Sequence, residues 1–350
     1  MTIDDRTRIA IPLILRITLI GAVAGAVYGY ITTTGPSLYG IGRGALTGAF
    51  ISSVLVSLEA FVLQAPIGAP LRRAPFLLNL SLKSLVYLVV FLLGITAGQW
   101  LVPISSFTGG VRIARNDILF SFAVGFVINF LLEVNGLLGQ NMLLSFATGR
   151  YYRPRVEQRI FLIIDMKNST AAAERLGEVD FHRLLNRFVN DLTGSIVVQK
   201  GRIHKYVGDE LIATWPLAEG LKDARCLHAC FGAVERLAEL GASYEREFGL
   251  RVDFRAGLHC GPVVVGEMGS VKKEIALIGD TMNTAARIVD ACRDHGEPVI
   301  ASAALLQQLA IPPGVAARAL GPIHLRGKKS PVELFALQAT AAKLFRSPAA

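Results

Sequence analysis

The sequence predicts two parts of different fold class: an N-terminal all-α bundle of four transmembrane helices and a C-terminal α+β domain with a mainly antiparallel sheet. The first observation is charge, because residues 1–150 hold 10 Lys+Arg and 5 Asp+Glu, whereas the remaining 26 and 22 lie in residues 151–350. The second is that the poorly charged part contains four long apolar stretches. The third is that the other part alternates short β-branched runs with amphipathic stretches, as mixed folds do.

Composition narrows the classes of function. The net charge of +9 is spread over both parts, as +5 (10 minus 5) and +4 (26 minus 22). No basic stripe interleaved with aromatic residues is present in the sequence, so we expect no nucleic-acid partner. The four cysteines, Cys226, Cys230, Cys260 and Cys292, all lie in the second part. Because no Cys or His spacing fits a zinc site, we expect free thiols in a reducing compartment.

Each apolar stretch is long enough to cross a bilayer, which takes about 20 residues of helix. The four predicted spans are Ile9–Ile31, Ala45–Leu63, Leu77–Leu101 and Ile118–Gly139. We therefore expect a transmembrane domain over residues 1–148, a juxtamembrane linker over residues 149–159 and a second domain over residues 160–340. The lipid bilayer is an expected partner, and the chain is predicted to be a multi-pass protein of the inner (plasma) membrane.

Arginines at the ends of the spans predict the orientation, because positively charged flanks favour the cytoplasmic side. An even number of spans places both ends of the transmembrane domain on one side. That side carries Arg6, Arg8, Arg72, Arg73, Arg150, Arg153 and Arg155. The other side carries Arg43, Arg112 and Arg115. We expect the N-terminus and the second domain in the cytoplasm.

Each predicted span contains an ionisable residue, in order Arg16, Glu59, Lys83 and Glu133. An unpaired charge in hydrocarbon is costly, so two cations and two anions at similar depth favour pairing across the bundle. The alternative is that each long side chain reaches the nearer interface. Our hypothesis is that this charged layer couples the membrane helices to the second domain. The sequence leaves open whether an unidentified ligand or protein acts on the membrane part.

Apolar periodicity and turn residues predict the elements of the second domain. The predicted strands are Ile160–Ile164, a hairpin of Ile203–Val207 and Leu211–Trp215, a second hairpin of Val252–His259 and Val263–Glu267, and then Pro298–Ala301, Ile323–Leu325 and Glu333–Leu337. The predicted helices are Ser169–Leu176, Val179–Gln199, Leu221–Phe248 and Thr281–Cys292.

Two aspartates and a helix start are candidates for a metal and phosphate site. Asp165 ends the first buried strand, and Asp209 lies at the turn of the first hairpin. Two such carboxylates suit Mg²⁺, which prefers one or two carboxylates with water and phosphate oxygens, although each alone is more often a turn residue. Asn168, Ser169 and Thr170 open the helix after Asp165. Its free N–H groups suit phosphate oxygens, and plain N-capping is the alternative.

Asn283 and Arg287 form the third candidate group. They lie four residues apart on the predicted helix Thr281–Cys292, so they point the same way. An amide beside a guanidinium suits a ribose and the charge on a phosphate in a transition state. A solvated polar pair on a helix face is the alternative.

Five segments occur in order between residues 160 and 338: Phe161–Thr170, Lys205–Glu210, Arg255–Gly261, Ile278–Arg287 and Leu325–Lys328. Together they resemble the class III adenylate and guanylate cyclase catalytic domain, as found in membrane-anchored bacterial adenylate cyclases. The resemblance implies a ferredoxin-like core that pairs head to tail with a second copy, with sites at the interface of the homodimer. It also implies an adenylate cyclase that converts ATP to 3′,5′-cyclic AMP and pyrophosphate.

The resemblance implies roles for the metal-binding and catalytic candidates. Asp165 and Asp209, aided by the main-chain carbonyl of Met166, would hold two Mg²⁺ or Mn²⁺ ions per site. Asn283 and Arg287 would come from the second copy. Asn283 would orient the ribose, and Arg287 would stabilise the pentavalent phosphorus.

The resemblance also implies substrate-binding residues. Lys205 matches the lysine that reads the adenine ring, and Arg326 or Lys328 would bind the triphosphate. One position departs from the pattern: the partner of that lysine, usually Asp and in one subgroup Thr, falls at Ala276. An alanine side chain accepts no hydrogen bond from the adenine amino group, which weakens the prediction of ATP as the substrate.

Three other functions stay open. Ala276 favours a guanylate cyclase. The turn Val207–Leu211 is similar to the turn motif of diguanylate cyclases, but it lacks the first glycine and the phenylalanine of that motif. The third is a membrane receptor or transporter whose cyclase-like domain binds nucleotide without converting it.

Overall fold

The structure is a computed structural model that describes residues 3–32, 38–63, 74–101, 115–138 and 142–340. The chain divides into two compact units, Thr2–Leu138 and Gly139–Ala350. The flanking arginines Arg72, Arg73 and Arg112 lie outside the described residues, as does Gly139 at the end of the fourth predicted span. The domain bounds at residues 148, 159 and 340 stay a prediction.

Helices account for all but residues 74 and 75 of the described part of the N-terminal unit. They are α1 (Ile3–Thr32), α2 (Leu38–Ser57, continued by a π-helical turn over Leu58–Leu63), α3 (Phe76–Leu101) and α4 (Arg115–Leu138). Within the described residues, three are long and apolar enough to cross a membrane, over Ile14–Ile31, Gly40–Val62 and Phe76–Ala97. The helical N-terminal region is thus confirmed.

The predicted count of four spans is not exact. The fourth predicted span is helical as α4, but its apolar stretch covers only Phe122–Val134. That stretch is about 20 Å of helix, whereas the hydrocarbon core of a bilayer is about 30 Å thick.

Glycines set the contact between α1 and α2. Three glycines of α1 face three glycines of α2: Gly21 faces Gly48, Gly25 faces Gly44 and Gly29 faces Gly40. A Cβ atom on Gly25 would collide with the carbonyl oxygen of Gly44. Small residues four apart lie on one face of a helix, and they let helix backbones approach closely in a membrane.

The C-terminal unit is a mixed sheet with helices. Its eight strands are β1 (Arg155–Met166), β2 (Arg202–Val207), β3 (Glu210–Pro216), β4 (Phe254–Met268), β5 (Glu274–Ile278), β6 (Val299–Ser302), β7 (Val315–Ile323) and β8 (Val332–Ala339). The order is β2-β3-β1-β4-β6-β8-β7, with β5 paired to β4. The β4–β6 pair is parallel and the others are antiparallel, so the predicted α+β class with a mainly antiparallel sheet is confirmed.

The helices of this unit are α5 (Met142–Ala147), α6 (Ser169–Leu176), α7 (Glu178–Val198), α8 (Leu217–Leu221), α9 (Arg225–Phe248), α10 (Asp280–His295) and α11 (Ala303–Leu306). β1 is the central strand of the core, because its side chains are buried on both faces. Ile160 and Leu162 pack with the helices α7 and α9, whereas Phe161 and Ile163 pack on the face covered by α10.

Several predicted element bounds are wrong. The second predicted hairpin is one continuous strand, β4, because β1 pairs with it without a break from Arg155 to Met166. Pro262 lies between the parts of β4 that pair with β6 and β5, where one edge of the strand is free and proline is tolerated. The long helix begins at Arg225 rather than Leu221, because Asp223 and Ala224 have positive φ values of 53° and 49°.

Two further strands differ from the prediction. β5 was not predicted. The strand expected near Ile323–Leu325 is β7, Val315–Ile323. Most side chains of β7 are exposed or half-buried, so the apolar alternation that marks a half-buried strand is weak there.

Candidate active site

Asp165 and Asp209 meet at one end of the sheet. Asp165 is the last but one residue of β1 and is 9% exposed. Asp209 follows Gly208 in the two-residue turn between β2 and β3, and Gly208 adopts the positive φ, 60°, that such a turn needs. β3 pairs with β1 so that Glu210 is opposite Asp165. This register places the two carboxyl groups within hydrogen-bonding reach of each other.

The electrostatics of this pair fit a divalent cation. Burial and the Asp209 carboxylate raise the pKa of Asp165 to about 6, although Arg255, with Nη1 3.7 Å from Asp165 Oδ2, opposes the shift. Burial and the two aspartates also raise the pKa of Glu210. Arg255 thus compensates the crowded carboxylates only in part, and oxygen ligands are those that Mg²⁺ and Mn²⁺ prefer.

The other metal candidate, Met166, has its side chain in the core at 2% exposure. It therefore offers a cation only its main-chain carbonyl. Within the described residues no third Asp, Glu, His or Cys completes a metal-binding group with Asp165 and Asp209. The donor set of one chain is thus two carboxylates and one carbonyl, which leaves positions for phosphate oxygens and water.

The residues at the start of α6, Asn168, Ser169 and Thr170, come shortly after Asp165 and Met166 in the chain. Asn168 adopts a left-handed conformation with a φ of 57° and makes no side-chain cap hydrogen bond, so the simple N-capping alternative does not apply to its side chain. Ser169 is half-buried and Thr170 is exposed. Their contact with a phosphate stays a prediction.

Two glycines of β4 position α10. A Cβ atom on Gly257 would lie 2.8 Å from the carbonyl oxygen of Ala285. One on Gly261 would lie 2.7 Å from Thr281 Oγ1. Thr281 Oγ1 in turn donates a 2.7 Å hydrogen bond to the carbonyl of Pro262. The first turns of α10 are therefore held directly against the strand.

α10 presents the Asn283/Arg287 pair beside the loop that precedes β8. Asn283 is exposed and Arg287 is half-buried. Gly327, with a φ of 72°, passes so close that a Cβ atom there would lie 3.3 Å from Arg287 Nη2. Lys328 donates to Asp280 Oδ2, and this hydrogen bond lowers the pKa of Asp280. The structure thus brings Arg287 and Lys328 to one place.

Arg326 is exposed next to this loop, and no hydrogen bond or ion pair of it is found among the described residues. Of the two triphosphate candidates, Lys328 is therefore the one that the fold orients. The choice between them stays a prediction.

Lys205 has a partner that sequence reasoning missed. Its Nζ donates to Glu274 Oε1 at 3.1 Å and so links β2 to β5. Glu274 precedes Ala276 by two residues and therefore lies on the same face of β5, whereas Ala276 is 5% exposed. The signal was a carboxylate two positions before the expected acceptor, on a strand that was not predicted. The pair offers a nucleotide base one donor and one acceptor.

The candidate residues form two main groups within one chain. Asp165 and Asp209 make the first, and Asn283, Arg287 and Lys328 make the second. Among the described residues no hydrogen bond or ion pair joins the two groups.

Comparisons with known proteins identify the family of the C-terminal unit. The family described as adenylate and guanylate cyclase catalytic domain matches residues 152–339. The chain is 29% identical to "Adenylate cyclase 2" of Rhizobium meliloti (strain 1021) over 352 residues, covering 96% of each protein. It is 24% identical over 184 residues to "Adenylate cyclase" of Anabaena cylindrica, covering 51% of this chain and 36% of that protein.

Among solved structures, a bacterial light-regulated adenylyl cyclase is similar in fold. The TM-score is 0.55 at 18% identity, with 65% of each chain covered. The mixed sheet, the order of the five segments and the family match over more than half of the chain all indicate the same kind of domain. The C-terminal unit is a nucleotide cyclase domain, and the chain belongs to the family of adenylate and guanylate cyclase catalytic domains.

Proposed function

We propose that the chain converts ATP to 3′,5′-cyclic AMP and pyrophosphate at a site shared by two copies. The observation that carries this proposal is the separation of two complementary groups within one chain. One group holds carboxylates suited to cations, and the other holds an amide and guanidinium suited to ribose and phosphate. The choice of ATP is supported by Lys205 and by the Rhizobium meliloti adenylate cyclase, which is similar over nearly the whole chain.

Asp165 and Asp209, with the Met166 carbonyl, would hold the cations, for which we propose two Mg²⁺ or Mn²⁺ per site. When bound, these ions would lower the pKa of the ribose 3′-hydroxyl and neutralise charge on the triphosphate. In the reaction the ribose 3′-hydroxyl gives its proton to water, a bond forms between its oxygen and the α-phosphorus, and the bond to the departing pyrophosphate breaks.

Residues of the second copy would complete the site. The Asn283 amide would hold the ribose, so that its 3′-oxygen faces the phosphorus. The Arg287 guanidinium would stabilise the charge that develops on the phosphoryl oxygens. Lys328, paired with Asp280 in the free chain, would exchange that carboxylate for a phosphate oxygen of the substrate.

The N-terminal unit would place this chemistry at a membrane. We propose a multi-pass protein of the inner (plasma) membrane, with the N-terminus and the catalytic domain in the cytoplasm. Three described helices suited to crossing a bilayer support the anchor, and the bias of flanking arginines supports the orientation.

The first experiment measures product formation by the purified full chain with ATP or GTP and Mn²⁺ or Mg²⁺. Cyclic AMP as the main product is the expected result. No cyclic nucleotide from either substrate would overturn the enzyme assignment in favour of a nucleotide-binding receptor.

The second experiment tests the shared site. Asp165→Ala and Asn283→Ala chains should each lose at least about 99% of the activity, because each change removes a group from both sites of a homodimer. Mixing the two variants should restore about a quarter of wild-type activity, since half of the dimers are mixed and each has one intact site. A mixture no more active than its components would contradict the shared site.

A guanylate cyclase remains the second candidate, favoured by Ala276. Its buried methyl group accepts no hydrogen bond from adenine, and a carboxylate such as Glu274 would also accept the N–H groups of guanine. Cyclic GMP as the main product would establish this alternative.

A further inference from the structure

Three of the four ionisable groups predicted in the membrane spans pair with one another. Lys83 Nζ donates to Glu59 Oε1 at 2.9 Å and to Glu133 Oε1 at 2.7 Å. Tyr87 donates its hydroxyl to Glu59 Oε2 at 3.0 Å. Lys83 is 5% exposed, so this cluster ties α2, α3 and α4 together. We refer to Glu59, Lys83, Tyr87 and Glu133 as the ionic cluster.

The ionic cluster is not neutral. Two carboxylates and one ammonium give a formal charge of −1. Both oxygens of Glu59 accept hydrogen bonds, whereas only Oε1 of Glu133 does so among the described residues. Charge left unpaired at this position in hydrocarbon is costly, so Glu133 Oε2 has room for one more cationic donor.

Arg16 is the fourth group, and it takes no part in the cluster. It lies in the apolar stretch Ile14–Ile31 of α1 and is exposed. No hydrogen bond or ion pair of Arg16 is found within the described part of the chain. With Arg16 added to the ionic cluster, the formal charge of these groups is zero, because each chain then has two cations and two anions.

Arg16 and the cluster lie at similar depth. Gly21 of α1 lies opposite Gly48 and Ser52 of α2. Continuing this antiparallel register places Arg16 opposite residues 53–57 of α2. Glu59 is thus within about two helical turns of Arg16 along the membrane normal.

The packing of the helices leaves α1 and α4 at opposite ends of a row. α1 packs on α2, α2 on α3, and α3 on α4, and no comparable packing joins α1 to α4 among the described residues. Neighbours in the row are antiparallel. A two-fold axis along the membrane normal would set α1 of one copy antiparallel to α4 of the other, and would repeat the contact on the opposite side.

We propose that the membrane helices dimerise through this two-fold contact, with Arg16 of each copy paired to Glu133 of the other. The guanidinium would donate to Glu133 Oε2, the carboxylate oxygen left without a donor in one chain. Because the contact is symmetric, the two copies together form a neutral layer. This interface is separate from the catalytic one, so it does not depend on the proposed reaction.

The test measures dimerisation of full-length chains in lipid vesicles without nucleotide, by energy transfer between donor-labelled and acceptor-labelled copies on dilution with lipid. Arg16→Gln should weaken dimerisation by about tenfold, since two interhelical polar contacts are lost. Arg43→Gln is the matched control, because it removes the same charge from α2.

The decisive measurement uses mixed copies. In an Arg16→Gln homodimer or a Glu133→Gln homodimer, both contacts are broken. A mixed dimer of the two variants keeps one intact Arg16–Glu133 pair and leaves no unpaired charge at the other contact. Donor-labelled Arg16→Gln should therefore pair with acceptor-labelled Glu133→Gln several-fold more tightly than either variant pairs with itself.

Two outcomes would overturn the proposal. One is that Arg16→Gln dimerises as well as Arg43→Gln, which is expected if Arg16 reaches the interface of the bilayer instead. The other is that the mixed pair is no tighter than the homodimers. Cyclic nucleotide formation, assayed on the same wild-type vesicles, reports separately whether the catalytic proposal holds.

Discussion

The Lys205–Glu274 ion pair places a hydrogen-bond donor and an acceptor 3.1 Å apart. Lys205 lies four residues before Asp209 in the chain. Both side chains are partly exposed, at 43% and 29%, so a nucleotide base can reach them. Glu274 lies two positions before Ala276, where the family pattern has the acceptor for the adenine amino group. The acceptor missing at Ala276 is therefore available from the neighbouring position on the same face of β5.

Replacing this carboxylate should weaken the choice of base. In Glu274→Gln the ratio of kcat/KM for ATP over GTP should change by about tenfold, because one charge-assisted hydrogen bond to the base is lost. Steady-state kinetics with both nucleotides measure the ratio, and Glu333→Gln, on the exposed side of β8, is the control. An unchanged ratio would show that Glu274 does not discriminate between adenine and guanine.

His259 makes the stability of the catalytic unit depend on pH. Its Nδ1 lies 2.7 Å from Ser302 Oγ, and burial together with the charge of Lys328 lowers its pKa to about 4 from an ordinary 6.5. Between these values the unfolded chain binds more protons than the folded chain, so stability falls as the pH falls from 6.5 to 4.

His259→Asn should reduce that loss by on the order of 2 kcal/mol, because the variant has no imidazole to protonate while its amide can still bond Ser302. Thermal unfolding of the detergent-solubilised chain at pH 7 and pH 4.5 provides the comparison. Equal losses in wild type and variant would mean that the pKa of His259 is the same in the folded and the unfolded chain.

Among the helices, the close contact of α1 and α2 allows a test that needs no activity. Gly25→Leu should destabilise the membrane unit by about 2 kcal/mol, since the new side chain must push the Gly44 backbone away. Gly42→Leu is the matched control, because nothing lies within 4 Å of a Cβ atom at Gly42. Thermal unfolding of both variants in one detergent is the measurement, and equal unfolding temperatures would contradict the tight contact.

How far the sequence predicts these elements depends on how local the signal is. The helix Ser169–Leu176 is found with the predicted bounds, because a turn at Asn168 and a glycine at Gly177 mark its ends. β4 was divided in two by Gly261 and Pro262, since turn residues say nothing of the partner strand β1 that keeps β4 extended. Local patterns carry no information about pairing between strands that are distant in the sequence.

In the candidate site, too, features with a local signal are predicted and those that depend on distant contacts are not. Asp165 and Asp209 were predicted from a strand end and a hairpin turn, and the sheet register brings them together. Glu274 was missed because its contact with Lys205 spans 69 positions of sequence. The pairing predicted for the membrane charges is found for Glu59 and Lys83 with Glu133, but no pattern in the sequence showed that Arg16 is absent from the cluster.

For the assembled protein, the proposed sharing of Asp165 and Arg287 between two copies makes activity a property of the pair of chains. At low surface density in vesicles, specific activity should fall in proportion to the number of chains per unit area, because the dimer fraction does so by mass action. Assays at a series of lipid-to-protein ratios measure this dependence. Specific activity that stays constant down to one chain per vesicle would require a complete site within a single chain.

The contact between α1 and α2 also bears on how the chain is made. Both helices end by Leu63, so their glycine-lined contact is complete in sequence while at least 287 residues (350 minus 63) are still to be synthesised. At roughly 5–20 residues per second, translation of these 287 residues alone takes about a quarter of a minute to a minute. The helical hairpin can therefore insert and pack while the ribosome is still attached. Substitutions at Gly25 would then lower the yield of inserted protein as well as its stability once finished.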